Sequence, residues 1–396
     1  MKEATRHKIA ILIIAMFQMS AIGLSTILSQ LSQVFPEAGD AVIQGTSTFT
    51  MLTAVAFSLL CVRFSAAISQ KTLTLIGLLL ICLVGLGGFF FHQSLVMVYL
   101  WAGMLGVGAG LVMPMAMAFI RELIPEAEQE SMVGIQIAFV NIGGILIAML
   151  AGVFASQAWY SCYLAYLIAA PAGLAVLVLM RRLPVRAAVS TQAQNSQQFS
   201  PALLFYMLLI FLFMMISNVF PTNIALFLTE NVLGDSAKAG AATAAFLVGG
   251  MAAGISYKFI ADRFRGFVYV LGYAVLAVGG VVCFLSTSYL PFLAGILFAG
   301  HGVSWIVSRC LVDASEKAGA DAVFGAAVIL ASNNLGAFVS PFLLTPLALK
   351  LLGNAAVRYR FALAAILAVA IALLLIPILR KATGGGRLND GKTHAR

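Results

Sequence analysis

The side chains able to do chemistry in this chain are few, and nearly all lie in long apolar stretches. His301, Trp305 and Arg309 recur at i, i+4 and i+8, which puts an imidazole, an indole and a guanidinium on one gently turning helical stripe. Gln18, Ser25 and Ser29 follow at i, i+7 and i+11 in an earlier stretch, and Thr46, Thr50 and Thr53 lie in the next. Asn218 and Thr222 bracket Pro221, which is able to bend a helix there. Asn141, Asn333 and Asn334 sit mid-stretch near glycine. An arginine offers five donors and a fixed charge that suit a carboxylate, and a histidine can take up or release a proton. Nothing points to bond cleavage. No His-x-x-x-His, no Gly-x-Ser-x-Gly and no carboxylate cluster falls in an apolar stretch, and the acidic loop Glu122 to Glu130 lacks His or Cys companions, so an enzyme is not expected. The five cysteines (Cys61, Cys82, Cys162, Cys283 and Cys310) make no Cys-x-x-Cys pair, so no metal site, disulfide or cofactor is expected.

The elements that must position these residues are membrane helices. Hydrophobic residues make up 62% of the chain and charged residues 9%, against ~45–50% and ~25% in soluble domains. Apolar stretches of about 20 residues match a hydrocarbon core of ~30 Å, and they are too long for barrel strands. Twelve spans are expected, at 9–31, 42–62, 73–91, 96–119, 132–155, 161–180, 203–228, 239–260, 267–286, 289–311, 323–347 and 358–379. The first is too long, and lacks the small-residue cleavage site, for a signal peptide.

In lipid a polar side chain is costly unless it faces the bundle interior, which makes the residues above candidates for lining a cavity. Each has a structural alternative. Ser and Thr bond back to their own backbone, and Gly and Asn suit close helix packing. His301 can serve as an interhelical hydrogen bond, and Arg309 can snorkel or pair with Asp313. No Asp or Glu falls in the middle of an expected span. The acids, Asp313 among them, lie in loops or at helix ends, which leaves His301 as the titratable group for any proton coupling.

One stretch does not belong in a membrane. Arg181-Arg182-Leu-Pro184-Val-Arg186 and the Ser/Thr/Gln/Asn run to Ser200 read as a basic anchor followed by a solvated linker. It divides the chain into an N-terminal bundle (1–180), a linker (181–202), a C-terminal bundle (203–380) and a polar, glycine-rich tail (381–396) expected to be disordered. The net charge of +9 reflects basic loops on one membrane side, with no nucleic acid implied. With both termini on the same side, nineteen Lys and Arg collect there against four on the other, Lys238, Lys350, Arg358 and Arg360. That asymmetry places the termini and linker in the cytoplasm.

The halves repeat. Gly108 to Gly300 is 192 residues, Asn141 to Asn334 is 193, and the first and seventh spans start 194 apart. With six plus six spans, a long polar central loop and Gly254-Ile-Ser-Tyr-Lys258-Phe-Ile-Ala-Asp262-Arg263-Phe-Arg265 after the eighth span, the chain resembles the major facilitator superfamily along nearly its whole length. The resemblance implies an all-α integral membrane fold of two pseudo-symmetric six-helix bundles, with the first, fourth, seventh and tenth spans around a central cavity. It implies that Lys258, Asp262 and Arg263 form a gating loop that latches the cytoplasmic side, although Lys258 stands where Gly is usual. The first-half counterpart, Arg63 to Lys71, has lost the Asp-Arg pair, and Ala102 replaces an arginine frequent in drug exporters. The substrate-cavity candidates are therefore Gln18, Ser25, Thr50, Asn141, Asn218, Thr222, His301, Trp305, Arg309, Asn333 and Asn334. The expectation is a monomeric secondary transporter in the cytoplasmic (inner) membrane of a bacterium, with protons as the coupling ion. It would move a drug-like or amphipathic compound outward by alternating access; the alternative is uptake or facilitated diffusion of a small organic anion.

Overall fold

The computed structural model describes residues 3–65, 67–180, 201–317 and 322–386. Among them no strand occurs, and twelve helices are long and apolar enough to cross a membrane. They are Ala4–Val34, Asp40–Cys61, Gln70–Phe90, Leu95–Leu123, Glu126–Ala155, Trp159–Leu179, Pro201–Glu230, Ser236–Phe264, Val268–Leu285, Tyr289–Ala314, Val328–Leu352 and Arg358–Leu379. With twelve crossings, the start of the first span and the end of the last share one side, here the terminal face. All twelve expected spans are present, but several run further into polar sequence than hydropathy indicates. The tenth helix continues to Lys317 and the last to Gly386. A helix stops where its end groups find partners, not where apolar residues run out. Ser69 and Ser94 open the third and fourth spans by accepting from the backbone N–H of Thr72 and Met97. Most of the expected linker and residues 387–396 of the expected tail lie outside the described residues.

Three spans change geometry near the middle, and the sixth passes from a 3-10 helix over Trp159–Ile168 to an α-helix over Ala169–Leu179. The first is α-helical over Glu3–Ala15, tightens to a 3-10 helix over Ser20–Ile27 and resumes at Leu28–Val34. Ser20, Ser25 and Thr26 each donate to the carbonyl three residues back, a local bond that competes with regular helix. The Tyr166 hydroxyl of the sixth span donates to the Ser20 carbonyl at 3.1 Å across the break. The seventh span breaks at Asn218, between Pro201–Ser217 and Val219–Glu230. Pro221 lacks the N–H that the Ser217 carbonyl would accept, and its ring crowds that carbonyl.

The repeat is a packing repeat. Gly143 lies against the Met16 backbone of the first span, and Gly336 against the Phe211 carbonyl of the seventh. Asn141 and Asn334 make the same bond in each half, to the carbonyl four residues back, at 3.0 and 2.9 Å. The structure corrects one pairing. Gly106 meets the Thr50 carbonyl of the second span as Gly300 meets the Phe246 carbonyl of the eighth. Gly108 abuts Gly77 of the third span as Gly302 abuts Gly272 of the ninth. The partner of Gly300 is thus Gly106, and that of Gly108 is Gly302, both 194 residues apart.

The halves meet on the face opposite the termini. Ala148 and Gly152 of the fifth span interlock with Ser236 and Gly240 of the eighth. A Cβ built on Gly240 would sit 2.5 Å from the Ala148 carbonyl oxygen and 3.2 Å from the Gly152 Cα. Towards the terminal face the same two helices diverge, and a Cβ on Gly134 or Gly254 would meet nothing within 4 Å. Ile255 and Phe259 of the eighth span are 86% and 73% exposed there. The space between the halves is therefore closed on the far side and open on the terminal face.

Candidate functional site

The eleven cavity candidates divide into two groups. Ser25, Thr50, Asn218 and Thr222 are buried. Ser25, Thr50 and Thr222 donate to carbonyls of their own helices, those of Ile22, Ser47 and Asn218. Asn218 donates to the Ala337 carbonyl at 2.9 Å and so ties the seventh span to the eleventh. Their polarity is consumed in the packed, closed region, which corrects the expectation that they face the open cavity. Gln18, Asn141, His301, Trp305, Arg309, Asn333 and Asn334 remain partly exposed. Gln18 reaches the Met113 carbonyl of the fourth span at 3.5 Å, the long limit for such a bond. Asn333 is the one candidate with a buried oxygen, Oδ1, that has no hydrogen-bond partner among the described residues.

The tenth span is fixed to its neighbours through the expected stripe. His301 Nδ1 lies 2.9 Å from its own helix's Leu297 carbonyl. Trp305 Nε1 donates to the Ala253 carbonyl of the eighth span at 3.0 Å, and Ser304 donates to that of Gly250 at 2.7 Å. Arg309 does not stand alone. Its Nη2 is 2.7 Å from Asp313 Oδ1 and its Nε donates to Oδ2 at 3.1 Å, the two-pronged geometry of an ionised carboxylate. Tyr269 of the ninth span donates to the same Oδ2 at 2.8 Å, and Tyr257 of the eighth faces Arg309. Asp313 is only 6% exposed and lies within the tenth span. The helix runs past the expected end at 311, so Asp313 lies inside the last turn of the span, still at a helix end, as the sequence reading has it, but buried.

Lys258, Asp262 and Arg263 occupy the last turns of the eighth helix rather than a loop, and all three are exposed. They form no ion pair among the described residues. A latch on the terminal face has nothing to grip while that face is open.

Sequence reasoning missed a second polar assembly. Gln44 of the second span donates to Asn223 Oδ1 of the seventh at 2.7 Å and accepts from Thr345 of the eleventh at 2.7 Å. Arg360, at the start of the twelfth span, donates to the same Asn223 oxygen at 2.9 Å and pairs with Asp40. Gln44, Asn223 and Arg360 are buried. One signal was present. Arg360 sits in the first turn of its helix, where the backbone dipole disfavours a cation, so it needs a partner elsewhere.

A family model described as Major Facilitator Superfamily matches residues 9–236, more than half of the chain. No curated protein sequence matches it. The fold is similar to several solved carriers. The nucleoside transporter NupG superposes with a TM-score of 0.74 at 12% identity, over 94% of this chain and 99% of that one. A peptide transporter of the POT family gives 0.72 at 12%, over 95% and 97%. The xylose transporter XylE from E. coli, in an inward open conformation, gives 0.68 at 14%, over 94% and 95%. At these identities the likeness is one of fold. Taken with the family match, it makes this chain a member of the Major Facilitator Superfamily, a multi-pass transporter of small solutes rather than an enzyme.

Proposed function

We propose that the chain exports a neutral or amphipathic organic compound in exchange for protons, with the terminal face in the cytoplasm. The observation that carries this is the Arg309–Asp313–Tyr269 cluster. Arg309 is the arginine that an anionic substrate would need, and its charge is already met within the protein. The other partly exposed candidates, Gln18, Asn141, His301, Trp305, Asn333 and Asn334, carry no fixed charge, which suits a compound with few charges. Asp313 is the buried carboxylate of the described spans, the kind of group that marks an ion pathway in a membrane carrier. With the terminal face open, its two oxygens are held by Arg309 in a two-pronged pair. Proton uptake would break the two-pronged pair and free Arg309, which couples protonation to a change of contacts in the cavity wall.

Transport in proteoliposomes, from a panel of compounds with and without an imposed pH gradient, tests the reading. Asp313→Asn is expected to abolish gradient-driven movement while retaining solute exchange across the membrane, and His301→Gln is expected to keep the gradient response. Gradient-driven transport by Asp313→Asn would overturn the assignment of the proton. Transport restricted to carboxylates, lost in Arg309→Ala, would favour the anion alternative. The orientation has its own check. Cysteine placed at Ser196 in the linker should react with an impermeant thiol reagent in inverted vesicles and not in intact cells.

A further inference from the structure

We infer that the side-chain line Thr345–Gln44–Asn223–Arg360–Asp40 is the lock that holds the face opposite the termini shut, with Arg360 as its positioning residue. The inference holds whichever solute is moved and in whichever direction.

The line is built from both halves. Asp40 and Gln44 belong to the second span, while Asn223, Thr345 and Arg360 come from the seventh, eleventh and twelfth. Hydrogen bonds between the halves, among the described residues, are those of Gln44 to Asn223 and Thr345, of Arg360 to Asp40, and of Thr48 to the Phe338 carbonyl at 3.4 Å. Three of the four therefore belong to this line. Each buried member is satisfied. Gln44 uses its amide nitrogen on Asn223 and its oxygen on Thr345. Asn223 Oδ1 accepts from Gln44 and Arg360, and Nδ2 donates to the Val219 carbonyl at 2.8 Å. Both Gln44 partners are in the opposite half, so separating the halves strips its side chain of every partner at once. A buried polar network of this kind is stable only when complete.

Arg360 makes the closure specific. Its two prongs serve different halves: Nη1 holds Asn223 of its own half, and Nη2 holds Asp40 of the other. Its neighbours on this edge are already engaged within the second half. The Glu230 carboxylate accepts from the Val357 N–H at 2.8 Å, and Arg358 donates to Asn231 at 2.8 Å. Among the described residues Glu230 does not pair with Arg360, and Arg358 does not pair with Asp40. Opening this face removes the carboxylate from a cation that is 7% exposed and already disfavoured by its helix dipole. Entry of water then rehydrates the guanidinium, so the closed and open arrangements are two discrete states rather than a continuum. Lysine cannot reproduce the fork, because an ammonium is a single point charge.

The test uses the full-length protein in lipid nanodiscs, with spin-label pairs across the halves on each face. Asp40→Asn and Arg360→Lys are each expected to raise the fraction open on the far face by about threefold to fivefold, the range a partly exposed ion pair supports, with shorter distances on the terminal face. Thr345→Val should act in the same direction and less. The charge exchange Asp40→Arg with Arg360→Asp should return the distribution toward that of the parent. If Asp40→Asn, the mildest change, lowers the melting temperature and leaves both distance distributions unmoved, the line is structural glue and the inference fails. If the exchange variant is no closer to the parent than either single variant, direct pairing of Arg360 with Asp40 is not what holds the face.

Discussion

Gly152→Leu is expected to hinder closure of the face opposite the termini and to reduce transport by about fivefold or more. The fifth and eighth spans approach there with no side chain between them. A Cβ on Gly152 would collide with the Ser236 carbonyl oxygen and lie 3.0 Å from the Gly240 Cα. These are backbone atoms and cannot rotate aside, so the helices must separate. Overpacking of this kind costs about 1–3 kcal/mol, and a bias of that size moves a two-state equilibrium by about 5–150-fold. Because the contact joins the halves, the strain falls on the closed state of this face and not on either bundle. The helices of each half should stay folded while the population moves to the arrangement open on the far side. Gly134→Leu is the matched control on the same helix, since nothing lies within 4 Å of a Cβ there. Spin-label distances between the exposed Gln157 and Asp235 positions, with transport on the same preparations, give the readout. Normal transport and an unchanged distance in Gly152→Leu would show that the close approach is not needed for closure.

Asp313→Leu is expected to be more damaging than the double variant Arg309→Met with Asp313→Leu. Removing the acid alone leaves a guanidinium whose side chain is 25% exposed without its counter-ion, and it deprives the Tyr269 hydroxyl of its acceptor. Losing one partner of a charged hydrogen bond costs about 1.5–3 kcal/mol, and the partial exposure of Arg309 places the expected loss at the lower end. Removing both charges lets apolar side chains of similar volume fill the site, a change that is often neutral. Thermal unfolding in detergent should therefore show a clear drop for the single variant and recovery for the double. Proton-driven transport should be absent from both. A double variant as unstable as the single one would mean that the cluster is held by more than this pair. A double variant that still follows a pH gradient would remove Asp313 from the coupling step.

Much of the architecture was legible because lipid simplifies the code. In water an apolar run can be strand, helix or core, but a run of about 20 residues in a bilayer has to be a helix that satisfies its own backbone. That constraint supported all twelve spans and the division into halves. The Asn-x-Gly elements at 141 and 334 disclosed the repeat, since the same residue types answer the same packing demand in both bundles. The error in matching Gly108 with Gly300 arose because closely spaced glycines look alike in sequence. Only the backbone each one touches tells them apart.

The site was less legible, for three physical reasons. Hydropathy marks where apolar residues end, whereas helices end at caps, so Asp313 was read as lying outside a span that in fact contains it. A hydroxyl in a membrane helix can serve a cavity or its own backbone equally well by composition. Ser25, Thr50 and Thr222 chose the backbone. And the network of Gln44, Asn223, Arg360 and Asp40 joins residues up to 320 positions apart, which no local pattern encodes.

The sequence by itself determined the solvent, the number of crossings and the twofold repeat, because each follows from composition and periodicity along the chain, and the motif after the eighth span carried the resemblance to the superfamily. The tertiary structure alone decided which face is closed, that Arg309 is neutralised by Asp313, and which polar residues join the halves. Those outcomes depend on contacts between helices distant in sequence, and the same side chains in another packing would satisfy the same local rules.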